Sequence, residues 1–169
     1  MHIREAEAED ALLISRIIAA SWRGAYHTLI DPVYLTRLPE EAWLPSMRSW
    51  LSSGRMYGYI AELDGTPVGC VVYGRGRDED HADWGEIVSL YLLPEWMGQG
   101  IGSALLAAAL DALHVEGYHR VYLWAIEGFA PTLSFYRNRD FLVTEDRVEY
   151  KIGSSSVTDV RLVREETDG

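Results

Sequence analysis

Residues 90–106 read LYLLPEWMGQGIGSALL, an apolar run that passes through three alternate glycines into a second apolar run. A glycine beside a regular element costs backbone entropy, so Gly98, Gly100 and Gly102 are expected where the chain must turn sharply or be approached closely. The segment requires a strand to end and a helix to begin within a few residues, and the rest of the fold must be arranged around that seam. A glycine-rich turn that opens a helix also leaves backbone N–H groups free at the positive end of the helix dipole, a geometry that binds phosphate without a basic side chain. That suits PEWMGQGIGS, which contains neither Lys nor Arg. No G-x-x-x-x-G-K-[ST] occurs, which excludes a P-loop. GQGIGS is half of a dinucleotide fingerprint but lies past mid-chain, behind a hairpin. A tight turn that binds nothing is the competing reading of the glycines taken alone.

The flanking pattern supplies the other elements. MHIREA reads as a first strand, and EDALLISRIIAASWRGAYHTL as a helix with Leu12, Leu13, Ile17, Ile18 and Ala20 at helical spacing. Asp31 is an N-cap with Pro32 at the first helical position, and a second short helix lies between Pro39 and Gly54. RMYGYIAEL and PVGCVVYGR are hairpin strands joined through Asp-Gly in DGT. RGRDEDHADW is an exposed loop before the strand GEIVSLYLL. A helix over Gly100 to Glu116 follows, with Ile101, Leu105, Leu106, Leu110 and Leu113 on one face, and then the strand RVYLWAI. A short helix over APTLSFYRNR precedes a closing hairpin, FLVTEDRVEYKI and SVTDVRLVRE, joined at GSSS. The predicted fold class is α/β, a mixed sheet that is mostly antiparallel, with helices on both faces. Residues 1–165 are expected to form one domain and residues 166–169 a frayed tail.

Charge and composition narrow the function. A net charge of −11 argues against a nucleic-acid binder, whose affinity comes from clustered Lys and Arg. It favours cationic, amine-bearing partners through steering, although acidity also serves solubility alone. No apolar stretch nears the roughly 18 residues of a membrane span, and the N-terminus lacks a small-residue cleavage site, so a cytoplasmic protein without a membrane partner is expected. Cys70 is the only cysteine, which precludes an internal disulfide or a Cys-x-x-Cys pair, and it sits in a strand as a small core residue.

GEIVSLYLLPEWMGQGIGSALLAAAL resembles the acetyl-CoA-binding core of the GCN5-related N-acetyltransferases, the GNAT superfamily: a strand, a basic residue or Gln, then x-x-G-x-G/A at a helix start. WAIEGFAPTLSFYRNRDF resembles that superfamily's strand, turn and helix ending in Phe-Tyr before a final strand. With SWRGAYHTLIDPVYL and the order of elements, the resemblance covers nearly the whole chain. It implies a GNAT-like twisted sheet, acetyl-CoA as co-substrate with no metal, and direct acetyl transfer, through a ternary complex, to an amine of a small molecule or a peptide. It further implies that backbone groups of Leu90 and Leu92 hold the pantetheine arm and acetyl carbonyl. Gly98, Gln99, Gly100, Ile101, Gly102 and Ser103 would then wrap the pyrophosphate. Three positions depart from the pattern: Met97 stands in place of Arg or Gln, Phe129 in place of a frequent Asn, and Asp140 in place of the Gly before the last Phe. Met97 and Phe129 favour the alternative of a non-catalytic acyl-CoA-binding regulatory module.

Amine acetylation needs a neutral nitrogen, a polarised thioester and a proton for the departing thiolate. The resemblance points to Tyr136, in FYR, as the acid, since a phenol is roughly matched to a thiolate; core packing is the plain alternative. Glu86 is the candidate base. Strand alternation sets it on the face of Val88 and Leu90, an apolar setting that would raise a carboxylate's pKa, whereas an exposed strand start would leave it an ordinary acid. Trp22 and Tyr26, four apart on one helix face, border the acceptor pocket by the same resemblance or simply pack the core. The run RDEDHAD reads as a solvated, cation-attracting lip and not as a metal cluster. No G-x-S-x-G is present, and His2, His27, His81, His114 and His119 form no spacing motif. A homodimer is compatible with a chain of this size.

Overall fold

A computed structural model describes residues 1–166, so the part of the expected tail at 167–169 lies outside the described residues. The strands are β1 His2–Glu5, β2 Met56–Leu63, β3 Thr66–Arg75, β4 Gly85–Leu92, β5 Arg120–Ile126, β6 Leu142–Ile152 and β7 Ser155–Glu165. They form one sheet in the order β1-β2-β3-β4-β5-β7-β6, antiparallel throughout except for the β4–β5 pair. The closing hairpin therefore reverses in space: β7 lies against β5, and β6 forms the edge.

The helices are α1 Ala11–Ala25, α2 Pro32–Arg37, α3 Leu44–Ser53, α4 Ile101–Val115 and α5 Ala130–Arg137. Their stops and starts follow local chemistry. The Asp31 carboxylate accepts from the Val33 N–H at 2.9 Å, the expected N-cap. It also accepts from the Ser154 backbone and hydroxyl at 3.2 and 2.8 Å, which ties the β6–β7 turn to α2 and holds the carboxyl below its usual range. Helix α3 starts at Leu44, later than the Pro39 boundary, and stops at Gly54, whose φ of 72° is left-handed. Asp64 and Gly65 both have positive φ, 49° and 79°, the conformation that Asp-Gly favours in a two-residue hairpin turn.

Helices α4 and α5 cover one face, with Leu105, Leu106, Leu133 and Phe141 buried over Val71, Leu123 and Leu162. Helices α1 and α3 cover the other face at the β2–β3 end, where Ile14, Ile18 and Met47 meet Ile60 and Val72. Tyr26 and Leu35 close the same face over Ile126 and Val157 at the β5–β7 end. Cys70 is fully buried, as expected. Among the described residues, no helix is long and apolar enough to cross a membrane.

Candidate active site

The site lies where the parallel pair comes apart. β4 and β5 pair only at Gly85–Val121 and Glu86–Tyr122, so from Ile87 to Leu92 the edge of β4 that faces β5 has no strand partner among the described residues. A strand edge without a neighbour leaves backbone donors and acceptors for a ligand. Two hollows open there. One, of about 430 Å³, runs from Leu90 and Leu92 past Gly98, Gly100 and Ser103 to Arg139. The other, of about 110 Å³, lies against Ser21, Tyr26, Ser89, Trp124 and Ala125. Leu90, Met97, Phe129, Thr132 and Tyr136 line both, so the two hollows adjoin.

At the larger hollow the three glycines have two explanations. Gly98 and Gly100 have φ of 76° and 84° with nothing within 4 Å of an added Cβ, so the turn itself demands them. Gly102 lies inside α4, where a Cβ would meet Phe135 and Leu92 at 3.5–3.7 Å, ordinary contact. The first N–H groups of α4 have no intrahelical partner, and Gly100, Gly102 and Ser103 at that end of the helix line this hollow. The loop indeed lacks a basic side chain, but the fold brings one from elsewhere. Arg139 donates from Nε to Ser103 Oγ at 2.8 Å, also from Nη2 to the same oxygen, and from Nη1 to the Phe135 carbonyl at 2.8 Å. Its guanidinium lies 3.8 Å from the Phe135 ring centroid. Sequence reasoning missed this residue because Ser103 and Arg139 are 36 positions apart. Beside it, Asp140 has φ of 69°, so it adopts the left-handed turn that the pattern's Gly would occupy.

Tyr136 stands at the junction. Its ring packs edge-on between Phe135 and Phe141, at 5.1 and 5.4 Å between centroids, and its hydroxyl bonds to no described residue. Burial, aided by the charge of Tyr91, pushes the phenol above its ordinary value. Tyr26 reaches the wall of the smaller hollow and is also raised by burial and by Tyr91. Trp22 does not reach that wall. It packs edge-on against Tyr26 and Trp43 at 5.6 and 5.0 Å and donates to the Tyr91 hydroxyl at 3.2 Å, supporting the wall from behind.

Glu86 departs from its expected setting. Its carboxylate is buried but ion-paired: Oε1 accepts from the Arg77 backbone and Nε, both at 3.0 Å, and from Tyr122 at 3.1 Å, while Oε2 accepts from Arg77 Nη2 at 2.8 Å. It is absent from the walls of both hollows. The expected common face with Val88 and Leu90 also fails, for a definite reason. Ile87 pairs with Tyr73 and Ser89 with Val72, so β4 holds one extra residue against β3. That bulge shifts the alternation, leaving Val88 on the α1–α3 side and Leu90 on the α4 side.

The acidic loop is likewise not a free lip. Arg161, only 5% exposed, donates to Asp78, Asp80 and Asp146 at 2.9–3.2 Å and lies 4.6 Å from the Trp124 ring. Asp78 also accepts from Trp124 Nε1 at 2.7 Å, so the loop holds a wall residue of the smaller hollow in place. Arg161 holds the Asp80 carboxyl below its usual range. A second residue that sequence reasoning missed is Asp159, paired with Ile126 on β5 and two residues from Arg161, hence on the sheet face of Trp124 and Tyr26. Burial raises its carboxyl, while a 3.0 Å hydrogen bond from the Tyr150 hydroxyl opposes the rise.

The family model described as the acetyltransferase (GNAT) family matches residues 21–141. An uncharacterized N-acetyltransferase of Bacillus subtilis, YuaI, is 32% identical over 136 residues, 80% of this chain and 76% of that protein. A probable N-acetyltransferase of Mycobacterium tuberculosis is 29% identical over 143 residues, 83% and 79% of the two chains. In fold, the chain resembles the PaiA N-acetyltransferase of Thermoplasma acidophilum in complex with coenzyme A, with a TM-score of 0.76 at 21% identity over 98% of this chain and 100% of that one. It also resembles YncA of Salmonella typhimurium with acetyl-CoA, with a TM-score of 0.73 at 19% identity over 100% and 95%. By the family match and by the identity to its relatives, this chain is a member of the GNAT family of acetyltransferases.

Proposed function

We propose that residues 1–165 form one N-acetyltransferase domain that moves the acetyl group of acetyl-CoA directly to an amine of a small molecule or a peptide, with both substrates bound together. The observation that carries this reading is Tyr136, which lines both hollows beside the open edge of β4 and whose hydroxyl has no hydrogen-bond partner among the described residues. Acetyl-CoA fits the larger hollow by chemistry: a helix N-terminus and the Arg139 guanidinium suit a pyrophosphate, and the apolar edge at Leu90 and Leu92 suits a pantetheine arm. Gly98, Gln99, Gly100, Ile101, Gly102 and Ser103 supply that N-terminus. The co-substrate brings an activated acyl group; the chain's own residues orient it and manage protons.

Because its phenol is raised, Tyr136 stays protonated at neutral pH and serves as the acid that neutralises the departing thiolate. Tyr26 and Trp124 form the acceptor's wall, with Trp22 behind. Glu86 is committed to Arg77 and Tyr122, so its part is to hold the closed end of the β4–β5 pair. We assign proton removal from an ammonium acceptor to Asp159, which stands behind the walls of both hollows on the sheet face of Tyr26 and Trp124, with no arginine among the described residues paired to it and its carboxyl raised by burial. The net charge of −11 supports a cationic acceptor. A buried, unpaired Cys70 accords with a cytoplasmic location.

Met97 and Phe129 favoured a binding module without turnover, but Arg139 restores a cation at the cradle that Met97 does not provide. Calorimetric titration with acetyl-CoA, followed by thiol release over a panel of amines, tests the proposal. One-to-one binding with release on some amines is the expected result. Binding without release across the panel supports the module, and absence of binding overturns both readings.

A further inference from the structure

At the end of α4 remote from the glycine turn, three metal-ligating side chains converge that no part of the acetyl-transfer reading uses. His114, in the last turn of α4, and His119, just before β5, each place Nδ1 against one oxygen of Glu166, just beyond β7. The distances to Glu166 Oε2 are 2.8 and 3.1 Å, and one ligand atom from each of the three residues lies within 4.8 Å of the others. The imidazole rings meet at 74° with centroids 4.9 Å apart. A carboxylate can only accept, so both Nδ1 atoms now direct protons at the same oxygen. Around a tetrahedral ion with ligands at about 2.0–2.2 Å, ligand atoms are separated by roughly 3.3 Å, so the two histidine–carboxylate distances already lie within about half an ångström of that value and the histidine pair closes by side-chain rotation.

The backbone holds this arrangement in place. The Glu166 N–H donates to the His119 carbonyl at 2.9 Å, and Arg164 approaches the other carboxylate oxygen at 3.8 Å, leaving Oε2 for the histidines. Between the two histidines the chain turns through Gly117, with φ of 95°, whose N–H donates to the His114 carbonyl at 2.9 Å. The local field favours a cation: this is the negative end of α4, and the adjoining hollow is lined by Asp111, Asp140, Glu165 and Glu166 against the single cation of Arg164. Both histidines and Glu166 are open enough for an ion to reach them, with 55%, 59% and 28% of their side chains exposed.

We propose that His114, His119 and Glu166 bind one divalent transition-metal ion, with Zn²⁺ the best chemical match. Two imidazoles and a carboxylate are a borderline ligand set of that kind, and water completes the coordination. The α4 helix of 15 residues separates this place from the glycine turn by about 20 Å, so the ion acts as a clamp that joins the end of α4, the start of β5 and the chain after β7. Glu166 lies 52 residues from His114, so spacing along the chain does not reveal the trio, and the proposal departs from the metal-free reading that the family resemblance implies.

The test uses the full chain stripped of metal with a chelator, titrated with ZnCl₂ by calorimetry and with CoCl₂ by visible absorption. One equivalent of Zn²⁺ should bind, the cobalt form should show ligand-field bands without a thiolate charge-transfer band, and the unfolding temperature should rise with added metal. His119→Ala and Glu166→Gln should each weaken Zn²⁺ binding about tenfold or more, while His2→Ala and His27→Ala leave it unchanged. Circular dichroism in chelator checks each variant's fold, and His114→Asn with His119→Asn carries the same test should an alanine or glutamine variant unfold. Absence of saturable binding, a thiolate band, or one-equivalent binding that survives loss of both histidines overturns the proposal.

Discussion

Tyr136 lines both hollows and its hydroxyl has no hydrogen-bond partner among the described residues, which is what the proposed acid role requires. Tyr136→Phe should lower kcat about 100-fold while the calorimetric affinity for acetyl-CoA changes by less than about twofold, because the ring contacts are kept. Arg139→Ala should do the reverse, weakening acetyl-CoA about tenfold, the scale of one charge-assisted hydrogen bond. Asp159 makes a prediction about pH. A base must be ionised, so kcat/KM should fall as pH drops through its raised pKa, and Asp159→Asn should remove that acidic limb from the profile. The sign for stability is opposite: a carboxyl raised by folding contributes most at acidic pH, and its contribution is lost as pH rises through the raised value. These roles differ in legibility. Tyr136 was visible because FYR lies in a recognisable segment, whereas Arg139 and Asp159 acquire their surroundings only from residues distant along the chain.

At the scale of elements, β4 and the turn after it do most of the positioning. The bulge at Val88 lets one strand serve two phases, holding Glu86 against Arg77 while placing Leu90 toward α4. The glycines that follow divide by conformation. Gly100→Ala places a Cβ at φ of 84° in open space, so the cost is purely backbone, about 1 kcal/mol, and should appear as a lowered thermal midpoint with weaker acetyl-CoA binding. Gly102→Ala meets only ordinary contacts and should stay within about 0.5 kcal/mol of the parent. Strand alternation alone could not foresee the bulge, because the extra residue is selected by pairing with β3 and not by the apolar pattern of GEIVSLYLL. The same limit applies to the closing hairpin, whose two strands were legible while their order against β5 was not.

For the whole molecule, the net charge of −11 should steer cationic acceptors toward the site. The kcat/KM for a polycationic amine should fall several-fold between about 20 and 300 mM salt while that for an uncharged amine analogue holds steady, since screening acts on the encounter and not on the bound contacts. The acidic loop is nevertheless not simply part of that field, because Arg161 neutralises Asp78 and Asp80 and fastens them beside Trp124. From the sequence by itself came the elements, the Asp-Gly hairpin, the Asp31 cap, the glycine turn and the family, all of which rest on local spacing, backbone preference or a contiguous pattern. Only the tertiary structure decided where the sheet splits, which face each β4 side chain takes, that Arg139 meets Ser103, and that two histidines share an oxygen of Glu166. Such pairings depend on how distant segments pack, and side-chain spacing along a chain carries no record of it.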